Sequence, residues 1–150
     1  MREILQELLA AYRAGEPVAM ATVIRTWKSA PRPAGAAMLV TSGHEAVGSV
    51  SGGCVEGTLF DVGLEILDNG VPQNHKYGIS DDEAFGVGLT CGGIIEVFAE
   101  RVDTETWPEL EGVAASVEAE EAVAIATIVA TPDEVAERIG RHLVIRPSGC

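Results

Sequence analysis

Nine residues, Ser49-Val50-Ser51-Gly52-Gly53-Cys54-Val55-Glu56-Gly57, carry three glycines and run without a break into apolar positions at helical spacing, namely Val55, Leu59, Val62, Ile66 and Leu67. Glycine lets the backbone turn where a β-carbon would forbid it. Recurrence at three and four residues marks one buried face of a helix. The chain must therefore make a tight loop here and coil straight out of it, down to a stop near Asn69-Gly70. Upstream, Pro17 to Trp27 is rich in Val, Ala, Ile and Thr and reads as a buried strand. Lys28 to Gly35 is a loop punctuated by Pro31, Pro33 and Gly35; Ala36 to Thr41 is a second strand, Ser42-Gly43-His44 a turn, and Glu45 to Ser49 a third strand. Strands that feed a helix predict an α/β fold, a mixed β-sheet flanked by helices.

The remaining segments fit that plan. Ile4, Leu5, Leu8, Leu9 and Tyr12 share a helical face, and Gly15 is placed to cap it. Gln73 to Tyr77 and Ile94 to Ala99 read as strands, with a long loop or broken helix over Gly78 to Gly93 between them. A helix is predicted over Glu105 to Val117, capped by Thr104 and buried through Leu110, Val113 and Val117. The end of the chain echoes its beginning. Glu16 to Ile24 matches Glu121 to Val129, and Gly35 to Gly43 resembles Gly140 to Gly149, an internal strand–loop–strand pseudo-repeat. The second copy stops where the first goes on into its third strand and glycine loop, so the repeat reads as clipped, with an open sheet edge that a partner or a second copy would cover.

Composition narrows the function. A chain of 150 residues is one ordinary domain, and one that buries roughly 70% of its unfolded surface. Its apolar fraction of 47%, largely Ala and Val, rules out disorder and predicts a tight core of small side chains. A net charge of −13 opposes binding to nucleic acid or to an anionic membrane surface. The N-terminus is amphipathic and acidic rather than a secretory signal, and no apolar run of about 18 residues exists for a membrane span. The expected location is the cytoplasm, where thiols stay reduced. Three cysteines, Cys54, Cys91 and Cys150, form neither a disulfide framework nor a C-x-x-C zinc pair. They are inert fillers or they are reactive.

Two loops are the candidates for chemistry. In Ser51-Gly52-Gly53-Cys54 the glycines open the backbone to a ligand, and the helix that follows offers unpaired N–H groups and a partial positive charge. That combination makes an anion seat and favours the thiolate of Cys54, which could ligate a soft metal, carry sulfur or attack an electrophile. The spacing is neither a Walker loop nor a dinucleotide fingerprint. A tight turn holding a buried cysteine is the alternative. Thr90-Cys91-Gly92-Gly93, just before the strand at Ile94, is the second loop, and the two are expected to face one cleft. Arg32, between two prolines, could reach a phosphate or be a solvated loop residue. Asp81-Asp82-Glu83 reads as an exposed acidic loop, His44 and His75 as isolated, His142 as a strand-surface residue, and Trp27 and Trp107 as core or rim aromatics.

Three stretches together resemble the XdhC/CoxI family. They are Ala21-Thr22-Val23 with Ser29-Ala30-Pro31-Arg32; Gly48-Ser49-Val50-Ser51-Gly52-Gly53-Cys54-Val55-Glu56; and Tyr77-Gly78-Ile79-Ser80-Asp81 running to Gly88-Leu89-Thr90-Cys91-Gly92-Gly93-Ile94-Ile95-Glu96-Val97-Phe98. The resemblance implies a maturation factor for molybdenum hydroxylases of the xanthine dehydrogenase and carbon monoxide dehydrogenase type. Such a factor would bind molybdenum cofactor (molybdopterin) transiently, assist its sulfuration by a cysteine desulfurase and insert it into the apo molybdenum hydroxylase. Cys54 would be the leading contact, including a molybdenum contact, with Ser51, Gly52 and Gly53 shaping its loop. Thr90, Cys91, Gly92 and Gly93 would form a second. Longer family members carry a Rossmann-like domain that is not found here, so the chain reads as the N-terminal module alone. A separate Rossmann-domain protein and a homodimer are the expected partners. The competing readings are a sulfurtransferase-like enzyme with Cys54 as nucleophile, and an interaction module with inert cysteines.

Overall fold

A computed structural model of the chain describes residues 2–78 and 92–147. In chain order its main elements are α1 (Leu5–Arg13), β1 (Val18–Trp27), β2 (Ala37–Thr41), β3 (Ala46–Gly48), α2 (Glu56–Asn69), β4 (Gln73–Gly78), β5 (Ile94–Val102), α3 (Leu110–Glu118), β6 (Ala124–Thr127) and β7 (His142–Ile145). Five strands form one sheet in the order β3-β2-β1-β5-β4, with each described pairing antiparallel, and β6 and β7 form a separate hairpin. Alternation along the central strand divides the core. Ala19, Ala21 and Val23 of β1 join Met38 and Val40 of β2 under Leu59, Val62 and Ile66 of α2. Val18, Met20 and Leu39 face the other way, into a cluster with Leu8 of α1, Leu110 and Val113 of α3, and Trp107. Helices thus cover both faces, as the α/β reading requires.

Close packing explains a glycine inside α2. A β-carbon on Gly63 would stand 2.6 Å from Cγ2 of Val40, so the helix can lie this near the sheet only without one. The last helix starts later than predicted. Asp103 accepts hydrogen bonds from the amides of Glu105 and Thr106, at 3.0 and 2.9 Å. This turn, rather than a cap at Thr104, drives Trp107 into the core before α3 begins at Leu110. The buried face of α3 is Leu110, Val113, Ala114 and Ser116, and Val117 is only half-buried.

The pseudo-repeat is real, and it is longer than the sequence suggested. The helix, the turn that ends it, the strand pairing and the bonds that close the loop recur 105 residues on. Helix α1, Leu5–Arg13, returns as α3, Leu110–Glu118. The turns that end them repeat bond for bond: Ala14 to Ala10, Gly15 to Tyr12 and Glu16 to Ala11 become Ala119 to Ala115, Glu120 to Val117 and Glu121 to Ser116. The register Ala19↔Val40 through Thr22↔Ala37 becomes Ala124↔Ile145 through Thr127↔His142. Even the pair of bonds that closes the loop, between Val23 and residues 35 and 36, recurs between Ile128 and residues 140 and 141.

One residue breaks the match. The left-handed position that Gly15 fills at φ 72° is held by Glu120 at φ 55°, a conformation that a β-carbon makes costly. Glu120→Gly is expected to raise stability by about 0.5–1 kcal/mol in chemical denaturation. The same change at the exposed Glu118, inside the helix, should lower it.

His142 is not a surface residue. It occupies the inward position matched by Ala37, and its side chain is 3% exposed. Its ring stacks on Trp107 at 4.0 Å, meets Glu100 Oε2 through Nε2 at 3.1 Å, and meets Thr127 Oγ1 through Nδ1 at 3.0 Å. Burial pushes the Glu100 carboxyl above its ordinary value, and the contact with His142 opposes this. Trp107 is a core residue, whereas Trp27 is a rim residue with the Lys76 ammonium 5.0 Å above its ring.

Candidate functional site

The glycine loop joins β3 to α2 where the sequence places it. Gly48, at φ 87°, opens it: a β-carbon there would meet Ile4 Cγ2 at 2.5 Å and the Ala37 carbonyl oxygen at 2.6 Å. Gly52 and Gly53 have φ of 75° and 118°. They curl the chain around the side chain of Glu56. Oε1 of Glu56 accepts from Ser49 Oγ (2.7 Å) and from the amides of Val50 (3.1 Å) and Ser51 (2.9 Å). Oε2 accepts from Ser51 Oγ (2.6 Å) and from the amides of Gly53 (2.9 Å) and Val55 (3.2 Å). The serine oxygens then accept in turn, Ser49 Oγ from Gly52 at 2.9 Å and Ser51 Oγ from Cys54 at 3.0 Å and Val55 at 3.1 Å. Every amide from Val50 to Val55 therefore has a partner inside the protein.

An open anion seat, expected from the sequence, is thereby corrected. The seat exists, but the carboxylate of Glu56 already sits in it. Burial works against the charge on Glu56, yet the hydrogen bonds from Ser51, Ser49 and the backbone prevail and hold its carboxyl at about 2. In the sequence Glu56 stands inside the motif without showing this role. The available signal was an acidic residue in the first helical turn behind a serine-glycine loop, the position from which a carboxylate reaches back to upstream amides.

Cys54 lies on this pinned loop, directly before the residue that caps α2. It is half-buried and rests against the α2-side core together with Ala30. Ser51 is buried, and Gly52 and Gly53 are exposed. In the second loop, Thr90 and Cys91 lie outside the described residues, as do Asp81-Asp82-Glu83 and Cys150. Gly92 is half-buried at φ 71°. Gly93 is buried, and a β-carbon on it would meet the Ala30 amide nitrogen at 2.7 Å and the Ala30 Cα at 2.8 Å. Gly78 lies as close to Gly93 and Ile94. Gly93 is thus folded onto the Ser29-Ala30 loop, backbone against backbone, whereas a β-carbon on Gly92 would meet nothing within 4 Å. Arg32, in that same loop, is ion-paired to Glu3 rather than reaching into solvent.

The similarity to known proteins follows these features. A model of the XdhC and CoxI family matches residues 11–78, from the end of α1 through the glycine loop to β4. A probable xanthine dehydrogenase subunit of Bacillus subtilis is 36% identical over 94 residues, which cover 60% of this chain and 28% of that protein. The molybdenum cofactor insertion chaperone PaoD of Escherichia coli is 34% identical over 92 residues, covering 61% of this chain and 29% of PaoD. The chain thus spans under a third of the length of these relatives. A crystal structure of a xanthine dehydrogenase from Bacillus halodurans superposes with a TM-score of 0.68 at 29% identity, over 83% of this chain and 38% of that one. Over residues 11–78, the stretch that carries its glycine loop, this chain is similar to the XdhC and CoxI family.

Proposed function

We propose that this protein takes up molybdenum cofactor as a cargo through the thiol of Cys54 and delivers it to an apo molybdenum hydroxylase of the xanthine dehydrogenase or carbon monoxide dehydrogenase type. The observation that carries the reading is the placement of Cys54, half-buried on a loop whose every amide is tied down. A soft sulfur suits a soft metal–dithiolene centre. A loop already rigid costs little further ordering when it binds. The similarity to PaoD, a molybdenum cofactor insertion chaperone, supports the same reading.

The loop amides expected to seat an anion are engaged within the protein, with Ser49, Ser51 and Glu56, and Nη2 of Arg32 is ion-paired to Glu3. The grip is therefore on the metal and sulfur end of the cargo. Residence is transient, so that a cysteine desulfurase can sulfurate the cargo before handover. Thr90, Cys91 and Gly92 supply a second contact, and a homodimer or a separate Rossmann-domain protein completes the assembly.

The test is retention. Protein mixed with molybdenum cofactor is desalted and its bound molybdenum measured. Cys54→Ser is expected to lose at least about tenfold in affinity, the equivalent of one good ligand, while millimolar inorganic phosphate leaves the parent's retention unchanged. Equal retention by the variant removes Cys54 from the mechanism. Sulfur turnover by the protein alone would put the sulfurtransferase reading in its place.

A further inference from the structure

The duplicated unit leaves one face of its second copy bare. In the first copy, the face formed by Ala19, Ala21, Val23, Met38 and Val40 is buried, each residue less than 10% exposed, beneath α2. The matching residues 105 positions on are Ala124, Ala126, Ile128, Leu143 and Ile145. All five are exposed, Leu143 at 50%, Ile145 at 39% and Ile128 at 37%. The opposite face of the same hairpin is already committed, because Val144, Val123 and Ile125 pack into the α1/α3 cluster. Strands apolar on both faces belong in the middle of a layered core, not at its surface.

We infer that the outer face of the β6–β7 hairpin is the seat of an amphipathic helix from a partner protein, a helix that repeats the buried face of α2 and carries a glycine where α2 has Gly63. The internal repeat identifies the occupant. Both copies present two alanines, at 19 and 21 and at 124 and 126, so each strand lets a helix approach equally closely. Ile145 stands where Val40 stands, and Val40 is the residue whose methyl would lie 2.6 Å from a β-carbon on Gly63. A helix meeting the bulkier Ile145 has even less room at that point. The face also suits a single helix better than a second copy of the chain, since a stable interface between copies engages about 20–30 residues a side and this patch has five.

The inference is independent of Cys54 and its cargo. Its probe is a dye-labelled peptide of this chain's own residues 55–70, held helical by a lactam from Asp61 to the side chain of Glu65→Lys, two positions on the exposed side of α2. Added to the intact protein, the peptide is expected to bind saturably by fluorescence anisotropy. Leu143→Asp in the protein, or Gly63→Val in the peptide, should each weaken binding by at least about tenfold. Ala126→Arg, at a second exposed position, should do the same, and circular dichroism checks that both protein variants keep their fold. Absence of saturable binding overturns the inference. So does undiminished binding by folded Leu143→Asp or Ala126→Arg protein, or by the Gly63→Val peptide.

Discussion

Glu56→Ala is expected to unfold about 3 kcal/mol more easily than the parent, the scale of a buried polar network broken at its centre. In a domain of this size that lowers the melting temperature by roughly 10 °C. The cost is large for a single side chain because two oxygens serve six donors, four of them backbone amides that glycine conformations have turned inward. Truncation leaves five of the six without their acceptor, the Val55 amide keeping Ser51 Oγ, and the partial exposure of the loop lets water recover only some of them. Glu56→Gln should lose about 2 kcal/mol, since one of its two terminal groups is then a donor facing donors.

The effect has a pH signature. The folded carboxyl titrates at about 2, below the ordinary 4.5. Between those values the unfolded chain binds the proton and the folded chain does not, so lowering the pH favours unfolding. The contribution of Glu56 is whole above pH 4.5 and drains away as the pH falls toward 2. Denaturation curves of the parent and of Glu56→Gln should therefore converge in that window. Parallel curves would show that the carboxylate charge does not hold the loop. Because Cys54 takes its position from Ser51, Glu56→Ala should also weaken cofactor retention without altering the thiol.

The second large effect falls on Gly93. Gly93→Ala is expected to cost about 3 kcal/mol, measured by chemical denaturation, whereas Gly92→Ala should cost only about 1 kcal/mol. The two glycines are neighbours but are constrained differently. A β-carbon on Gly92 meets nothing within 4 Å, and the penalty comes only from its φ of 71°. A β-carbon on Gly93 would press on backbone atoms of Ser29 and Ala30, 2.7 to 2.8 Å away. Backbone cannot swing aside as a side-chain tip can. The entry of β5 would separate from the loop that bears Arg32, and the Gly78–Ile94 end of the β4–β5 pairing would loosen with it. An equal cost at both positions would mean that the close approach to Ala30 is not what requires a glycine.

The secondary structure was written in neighbouring residues. Apolar recurrence placed α1 and α2, short apolar runs placed β1, β2 and β5, and Gly15 and Gly70 ended their helices in the left-handed conformation foreseen for such a cap. The two glycine loops stood out for the same reason, since a glycine pair at the border of a strand is a local signal. Even the repeat was visible as a string, although only its strands were matched. Leu5–Arg13 and Leu110–Glu118 share a fold with little sequence in common.

What a side chain meets was not written there. Glu56 is visible in the string as part of a motif, but its occupation of the loop depends on φ angles at Gly52 and Gly53 that aim four amides at one carboxylate. Gly93 reads as part of a ligand loop, and its contact is with Ala30, more than sixty residues earlier in the chain. His142 looked like a surface residue because alternation tells which residues share a face, not which of two faces is covered. Trp107 and Glu100 settled that question by packing over it. The bare outer face of β6–β7 follows from the same principle: its residues read as core, and whether such residues are buried is decided by what the rest of the fold lays on top of them.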